Sequence, residues 1–283
     1  MTWNPILPPV LLAVVGMVLL GFCVFALVRA SDRRRRINWV LRLAACALIV
    51  VAAFRPGVGS APAPNLQSEV DVLFVVDTTA SMVAEDWDGA PRLDGVKADI
   101  SALTAAHEGA RFGLVTFDAA AVQRLPFTAD TTALDALLQT LRPEVTQYSR
   151  GSSISIAEPL VRDVMEAAAE AEPERARLVY YLGDGEQTAE TEPESFSAVA
   201  GYLAGGAVLG YGTEEGGPMK ATAGTLAADE PSYILDGQGQ QARSVIDTAA
   251  LQTIADDLAL PLEVREPGTE VVPAEVDGTR VTQ

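Results

Sequence analysis

The sequence predicts an α/β protein in which a doubly wound, mostly parallel sheet follows an N-terminal hairpin of two transmembrane helices. Three observations support this prediction. Two long apolar stretches precede residue 55, short β-branched runs alternate with helical patterns after residue 69, and two of those runs end in an aspartate. Alternating strands and helices are typical of a parallel sheet covered by helices on both faces.

Residues 1–55 are predicted to form the transmembrane hairpin. Residues 10–28 carry no charge and residues 37–54 carry only Arg42, so both segments approach the ~20 residues needed to cross a bilayer. Four arginines at 33–36 separate them and by the positive-inside rule stay in the cytoplasm. We therefore expect a multi-pass membrane protein with two helices whose remaining residues are extracytoplasmic.

A cleaved signal peptide is the alternative interpretation of the first apolar stretch. No small-residue cleavage site precedes the arginines, however, and a second apolar segment follows them. The sequence therefore favours the hairpin.

The chain becomes strongly acidic after the hairpin. The whole sequence has 20 basic and 38 acidic residues, and residues 1–65 hold seven arginines and Asp32, which leaves 13 basic and 37 acidic residues and a net charge of 13 − 37 = −24. Such a surface repels nucleic acid and anionic headgroups. The charge can serve solubility or attract a basic partner, and composition leaves both open.

Residues 56–68 form a proline-containing linker, and strand and helix patterns then alternate to residue 266. The predicted strands are 70–76, 111–117, 121–125, 177–182, 206–211 and 262–266, and the predicted helices are 91–106, 131–141, 153–170, 193–204 and 245–258. Only three residues join the second and third strands, which predicts an antiparallel edge hairpin. Residues 212–243, with six glycines, predict a flap, and residues 267–283 predict a disordered tail.

Oxygen-bearing side chains follow two of the predicted buried strands and one loop between them. They are Asp77, Thr79 and Ser81 after the first strand, Asp184 after 177–182, and Ser152 or Ser153 in the glycine-started loop RGSSISI. Ligands of open α/β sheets bind at the carboxyl ends of the strands, so these loops are expected to converge on one cation. Oxygen donors suit Mg²⁺, Mn²⁺ or Ca²⁺. For a single residue, a helix cap or an Asx-turn is the structural alternative.

These residues resemble the metal-ion-dependent adhesion site of von Willebrand factor A (VWA) domains. The Asp-x-Ser-x-Ser loop of that family corresponds to DTTAS with Thr79 in place of a serine, its second-loop threonine to Ser152, and its third-loop aspartate to Asp184. The resemblance implies that Thr79, Ser81 and Ser152 contact the metal directly or through water. Asp77 and Asp184 would orient those waters and balance charge. Ser153 is the adjacent alternative to Ser152.

The resemblance extends over roughly residues 69–266, where segments such as RFGLVTFDAAAVQRLPFTAD look like the membrane-anchored bacterial subgroup related to the Bat aerotolerance proteins. It implies that an acidic residue of a partner protein completes the metal shell. It also implies related VWA membrane proteins and a MoxR-type AAA+ ATPase as partners. A surface adhesin with an extracellular ligand is the alternative. Relatives commonly carry a further transmembrane helix near the C terminus, and whether this chain has lost one stays open.

Enzymatic activity is not expected. His107, the single histidine, precedes the strand at 111–117 and is therefore placed at the amino end of the sheet, away from the metal loops. Phosphoryl transfer through Asp77 is the enzymatic alternative. It would need a nearby lysine, and the lysines, Lys97 and Lys220, are predicted on the first helix and in the flap.

Overall fold

A computed structural model describes residues 2–3, 9–29, 32–53, 56–57, 69–146, 153–188, 193–222 and 232–276. The chain divides into two compact units, Met1–Leu66 and Gln67–Gln283. Each unit has its own secondary structure, and the candidate site lies within the second.

The first unit contains two helices of 21 residues each, α1 (Pro9–Arg29) and α2 (Arg33–Ala53). Two short strands, β1 (Thr2–Trp3) and β2 (Pro56–Gly57), pair antiparallel. The four arginines were expected in the turn between the helices, but they form the first turn of α2, since arginine is a good helix former. Over the residues described, no helix has both the length and the apolar character that a bilayer crossing requires.

The second unit is built on a six-stranded sheet, and the predicted mostly parallel α/β fold is confirmed. Its strands are β3 (Val70–Asp77), β4 (Arg111–Phe117), β5 (Ala121–Thr128), β6 (Ala176–Gly183), β7 (Gly205–Gly210) and β10 (Leu262–Val264). They lie in the order β10-β7-β6-β3-β4-β5. All neighbours are parallel except β4 and β5, which form the expected antiparallel edge hairpin.

Helices cover both faces of this sheet. Helices α3 (Arg92–Ala106) and α4 (Thr131–Thr140) pack on one face, and α5 (Glu158–Ala171), α6 (Ser197–Ala200) and α7 (Thr248–Leu258) pack on the other. Helix α5 begins five residues later than predicted, because residues 154–157 form a turn and Pro159 then enters the first helical turn. Helix α6 is much shorter than the predicted 193–204, and Gly201 ends it.

The predicted flap is described at residues 212–222 and 232–243. These two parts run antiparallel to each other. Strands β8 (Gly217–Pro218) and β9 (Arg243–Ser244) pair at the base of the flap, and the amide of Ile234 donates to the carbonyl of Met219 farther out.

The segment after β10 does not match the expected disordered tail as far as residue 276. Val271 is buried in the core, and the amide of Ala274 donates to the Tyr180 hydroxyl at 2.8 Å. Val271 and Ala274, the two residues of this segment that pack against the core, are too few to give a periodic pattern, which is why the sequence did not reveal this packing. The rest of that tail, residues 277–283, lies outside the described residues.

Candidate functional site

The topology brings Asp77 and Asp184 to the same edge of the sheet. Strands β3 and β6 are parallel neighbours with Val76 opposite Leu182, so the residues that follow these two positions leave the sheet side by side. The backbone is tightly packed here, since a Cβ on Gly183 would lie 3.2 Å from the Asp77 carboxylate oxygen Oδ2. Both aspartates are buried, at 1% and 0% exposure.

The DTTAS loop gathers three oxygen-bearing side chains. Asp77 Oδ1 accepts hydrogen bonds from the Thr79 amide at 2.8 Å and from Thr79 Oγ1 at 2.6 Å. Thr79 Oγ1 lies 2.9 Å from Ser81 Oγ, which a short 3-10 turn, Ala80–Val83, positions. The hydrogen bond from the Thr79 amide to Asp77 forms the Asx-turn that was expected as the structural alternative. That turn and the donor cluster therefore coexist in one loop.

The site concentrates negative charge in a buried place. Burial raises the pKa of Asp77 well above its ordinary value, and the charges of Asp184 and, more weakly, Glu186 raise it further against the opposing hydrogen bonds from Thr79. Burial, followed by the charges of Asp77 and Asp184, also raises the pKa of Tyr181. A bound cation would offset this repulsion.

Asp184 is held by a buried arginine, Arg92, that was not among the predicted site residues. Its Oδ2 accepts a bond from Arg92 Nη1 at 2.7 Å, and its Oδ1 accepts the Glu186 amide at 3.0 Å. Arg92 is fully buried and also donates to both carboxylate oxygens of Asp86, at 2.8 and 2.7 Å, and to Ser244 Oγ at 2.8 Å. Arg92 thus joins the third loop to the base of the flap.

The predicted second loop is only partly described. Ser152 lies outside the described residues, whereas Ser153 is half-buried at the start of the turn that precedes α5. The amide of Ile154 donates to Gln187 Oε1 at 2.9 Å, so this turn is tied to the loop that carries Asp184. Ser155 has a structural role, because its hydroxyl accepts the Glu194 amide at 2.7 Å.

A further carboxylate that the sequence analysis missed borders the first loop. Glu144 Oε1 accepts the Ala80 amide at 3.1 Å, and the Glu144 amide donates to the Thr78 carbonyl at 2.7 Å. The contact joins residues 64 apart in sequence. No local signal could have indicated it.

His107 lies where the sequence placed it, away from these loops. It follows the last turn of α3, and its Nε2 is 2.9 Å from the Tyr180 hydroxyl.

The donors present fit a hard divalent cation. Within the described residues, no group of three or more His, Cys, Asp and Glu side chains is arranged to hold a metal, so any cation here would depend on hydroxyls as well as carboxylates. Thr79 and Ser81 supply such hydroxyls beside Asp77. Oxygen-only donor sets of this kind suit Mg²⁺, Mn²⁺ or Ca²⁺ rather than zinc.

Comparison with known proteins identifies the domain type. Residues 72–187 match the family model of the von Willebrand factor type A domain. The fold is similar to that of the conserved hypothetical protein BatB from Bacteroides thetaiotaomicron, with 23% identity, coverage of 70% of this chain and 91% of that one, and a TM-score of 0.54. It is similar to the same degree, with 22% identity, 70% and 92% coverage and a TM-score of 0.54, to an aerotolerance-related membrane protein from Bacteroides fragilis. No curated protein matches the sequence.

Proposed function

Because the chain carries a von Willebrand factor type A domain over residues 72–187, we propose that it is a membrane-anchored module that binds protein partners through a divalent cation. One observation carries the proposal. The hydroxyls of Thr79 and Ser81 cluster with Asp77 at the sheet edge where Asp184 follows the neighbouring strand.

The proposed site takes Mg²⁺, with Mn²⁺ or Ca²⁺ as alternatives. Thr79, Ser81 and, from the sequence, Ser152 would hold the cation, while Asp77 and Asp184 balance its charge through water. Neutral hydroxyls leave the cation with residual positive charge, so a carboxylate from a partner protein can complete its shell. Binding of the partner would then depend on the metal.

Calorimetric titration of Mg²⁺ into the full chain in detergent tests the metal site. Thr79→Val removes the hydroxyl from a fully buried side chain and keeps its shape, so we expect Mg²⁺ to bind roughly 10- to 100-fold more weakly. Thr79→Ser keeps the hydroxyl and should bind Mg²⁺ close to the wild-type affinity.

Two further variants complete this experiment. Asp184→Ala should also lose affinity for Mg²⁺, whereas Asp94→Ala, at an exposed position on α3, should not. Equal affinities in the wild type, Thr79→Val and Asp184→Ala would rule out the site.

Membrane anchoring is the second part of the proposal. Its support is the uncharged stretch at residues 10–28, the arginines that follow it, and the printed description of the Bacteroides fragilis relative as a membrane protein. We expect the chain to stay in the membrane fraction after an alkaline carbonate wash. Residues beyond 69 should be cleaved by protease added to intact spheroplasts. Release into the wash, or protection from the protease, would contradict this part.

The proposed partners are related VWA membrane proteins and a MoxR-type AAA+ ATPase, and the fold shared with BatB is consistent with this choice. Purification from membranes in detergent, with Mg²⁺ or with chelator, tests it. An ATPase recovered with the chain supports the Bat-like complex. Recovery of an extracellular ligand alone supports the alternative of a surface adhesin.

We propose no enzymatic role. Phosphoryl transfer through Asp77 would need a lysine beside the transferred group, but Lys97 lies 3.7 Å from Asp94 on α3 and Lys220 is bound to Glu85. Incubation with acetyl phosphate should therefore leave Asp77 unmodified, and a phosphorylated Asp77 in a peptide map would overturn this part.

A further inference from the structure

We infer that a cavity beside the DTTAS loop is a second carboxylate-binding subsite, formed by Arg124 and Arg142, for an acidic segment of a partner protein. The inference rests on the proposed function and specifies the partner. One acidic residue of that segment would complete the cation's shell, and a second would bind the two guanidinium groups.

The cavity adjoins the proposed metal site. Its volume is about 230 Å³, and its walls include Thr78, Leu114, Arg124, Leu141 and Arg142. Thr78 lies between Asp77 and Thr79, and its hydroxyl donates to the Phe117 carbonyl at 2.9 Å. The DTTAS loop therefore contributes Thr78 directly to the wall of the cavity.

The two arginines differ from most basic side chains of this domain. Arg92, Arg111, Arg175 and Arg265, for example, each pair with a buried aspartate. Neither Arg124 nor Arg142 forms an ion pair with any acidic residue that the structure describes. From residue 66 onward acidic residues outnumber basic ones by 37 to 13, so two unpaired guanidinium groups in one cavity form a local positive site within an acidic domain.

Each arginine is anchored by part of its guanidinium group. Arg124 Nε donates to Thr116 Oγ1 at 2.9 Å, across the β4–β5 hairpin. Arg142 Nη1 donates to the carbonyls of Gln139 and Leu141, at 3.2 and 3.0 Å, at the end of α4. Capping of α4 explains the position of Arg142, but it does not explain why Arg124 lines the same cavity. The terminal nitrogens of Arg124 hydrogen-bond to none of the described residues.

The occupant that fits is a carboxylate. A guanidinium group matches a carboxylate with two parallel hydrogen bonds, and the partner must already present a carboxylate to the cation. Glu144 is the acidic side chain nearest in sequence to Arg142, and its carboxylate is already bonded to the Ala80 amide. A segment with two acidic residues would span both subsites.

Fluorescence anisotropy with labelled synthetic peptides tests the inference on the full chain in detergent with Mg²⁺. The probes are Gly-Ser peptides with no glutamate, one glutamate, or two glutamates at several spacings. At the best spacing we expect the second glutamate to tighten binding by about fivefold, the upper range for an exposed ion pair. Arg124→Gln combined with Arg142→Gln should abolish this gain and leave the affinities for Mg²⁺ and for the one-glutamate peptide unchanged.

Arg162→Gln is the control, because Arg162 is a partly exposed arginine on α5, which packs against the other face of the sheet. It should keep the fivefold gain. Thermal unfolding of each variant checks that the substitutions leave the fold intact. The inference is overturned if the second glutamate gives no gain, or if the double variant retains it.

The same experiment separates this inference from the proposed metal site. If the double variant changes nothing while binding of the one-glutamate peptide needs Mg²⁺, the subsite is wrong and the metal site stands. If the gain and its loss in the double variant persist in chelator, the arginine subsite stands and the metal-dependent part of the proposed function fails.

Discussion

Arg92 shows how one residue can organise a site that its sequence position does not reveal. It opens α3, yet it is fully buried and forms ion pairs of 2.7 Å with both Asp86 and Asp184. A buried ion pair is weak evidence for stability, because desolvation offsets the attraction. The role of Arg92 is instead to position other side chains. Its guanidinium group fixes Asp184 beside the DTTAS loop and holds Ser244 at the base of the flap.

Replacing Arg92 should therefore be far more costly than replacing Lys97 on the same helix. Arg92→Met leaves two carboxylates in or near the core without their cation, and we expect a loss of about 3–5 kcal/mol in the free energy of unfolding. Urea denaturation of the full chain in detergent measures it. Lys97→Met is the control on the same helix, where the loss should stay within about 0.5 kcal/mol. A loss below about 1 kcal/mol for Arg92→Met would mean that the carboxylates are not held as described.

The residues that sequence reasoning found and those it missed differ in where their partners lie. Asp77, Thr79 and Ser81 are bonded to one another within five positions, so a local pattern identifies them. Arg92 and Asp184 are 92 positions apart, and Ala80 and Glu144 are 64 apart. Such pairs exist only once the sheet has assembled, and a single sequence carries no signal for them.

At the scale of elements, α3 depends on a glycine for its packing. A Cβ on Gly95 would lie 2.4 Å from the Trp87 ring, which packs against Tyr211 with ring centroids 5.5 Å apart. Alanine normally stabilises a helix interior relative to glycine by about 1 kcal/mol. Here the gain is opposed by the displacement of a large ring.

Gly95→Ala should consequently destabilise the domain by about 1–3 kcal/mol, the range for overpacking, despite its better helix propensity. Thermal and urea unfolding monitored by circular dichroism measure the change. Gly201→Ala is the matched control, because no atom lies within 4 Å of a Cβ at that position. An unchanged or raised stability for Gly95→Ala would show that Trp87 moves aside without cost.

The segment after β10 is attached to the sheet through Tyr180, whose hydroxyl also contacts a half-buried histidine. The Tyr180 hydroxyl accepts the Ala274 amide at 2.8 Å and lies 2.9 Å from His107 Nε2. When the imidazole is neutral with its proton on Nδ1, the tyrosine hydroxyl can donate to Nε2, and the charged imidazolium cannot accept this bond. Burial lowers the pKa of His107 below its ordinary value of 6.5.

A pKa that is lower in the folded state makes stability fall with acidification. The contribution of neutral His107 is fully present above its unfolded pKa of about 6.5 and is lost as the pH falls through the lower folded value. We expect the free energy of unfolding to drop between about pH 7.5 and about pH 5.5 more in the wild type than in His107→Gln. Urea titrations at both pH values measure the difference, and equal drops in the two proteins would contradict the role of His107.

At this scale the sequence predicted which elements exist better than where they end. The strands at 70–76 and 177–182 are bounded by charged or glycine residues, and their observed ends agree within one residue. Helix α5 was predicted to begin too early because the sequence from Ser153 to Ile156 is compatible with a helix. In the structure these residues precede the helix, and hydrogen bonds to Gln187 and to the Glu194 amide hold them as a turn.

At the scale of the whole molecule, the periodicity of the sequence predicts the sheet and its helices. The topology of the sheet then brings together residues that no single sequence motif contains. Asp77 and Asp184 are distant in the chain, but parallel pairing of β3 with β6 brings the residues after these strands to one edge. The prediction that they meet followed from the fold class. By contrast, the packing of residues 267–276 against the core and the ion pairs of buried arginines such as Arg92 could be recognised only in the assembled structure.

The assembled site also implies a conflict between stability and function. Asp77 is buried next to the like charges of Asp184 and Glu186, so without a cation it destabilises the domain. Asp77→Asn removes that charge and keeps an oxygen to accept the Thr79 bonds. We therefore expect the variant to have a higher Tm than the wild type in chelator, the reverse of the usual effect of changing a buried residue.

Mg²⁺ should reverse the order of the two Tm values, so that the wild type unfolds at a higher temperature than Asp77→Asn. Binding to the folded state alone stabilises the wild type by about 2.7 kcal/mol at a hundredfold excess over Kd, whereas Asp77→Asn, which has lost the charge that attracts the cation, should show no Mg²⁺-dependent rise in Tm. Differential scanning calorimetry of both proteins with Mg²⁺ and with chelator measures the two shifts, and Asp94→Asn should respond to Mg²⁺ like the wild type. An equal response of Asp77→Asn would mean that the cation binds elsewhere on this acidic surface, so the buried cluster would not be its site.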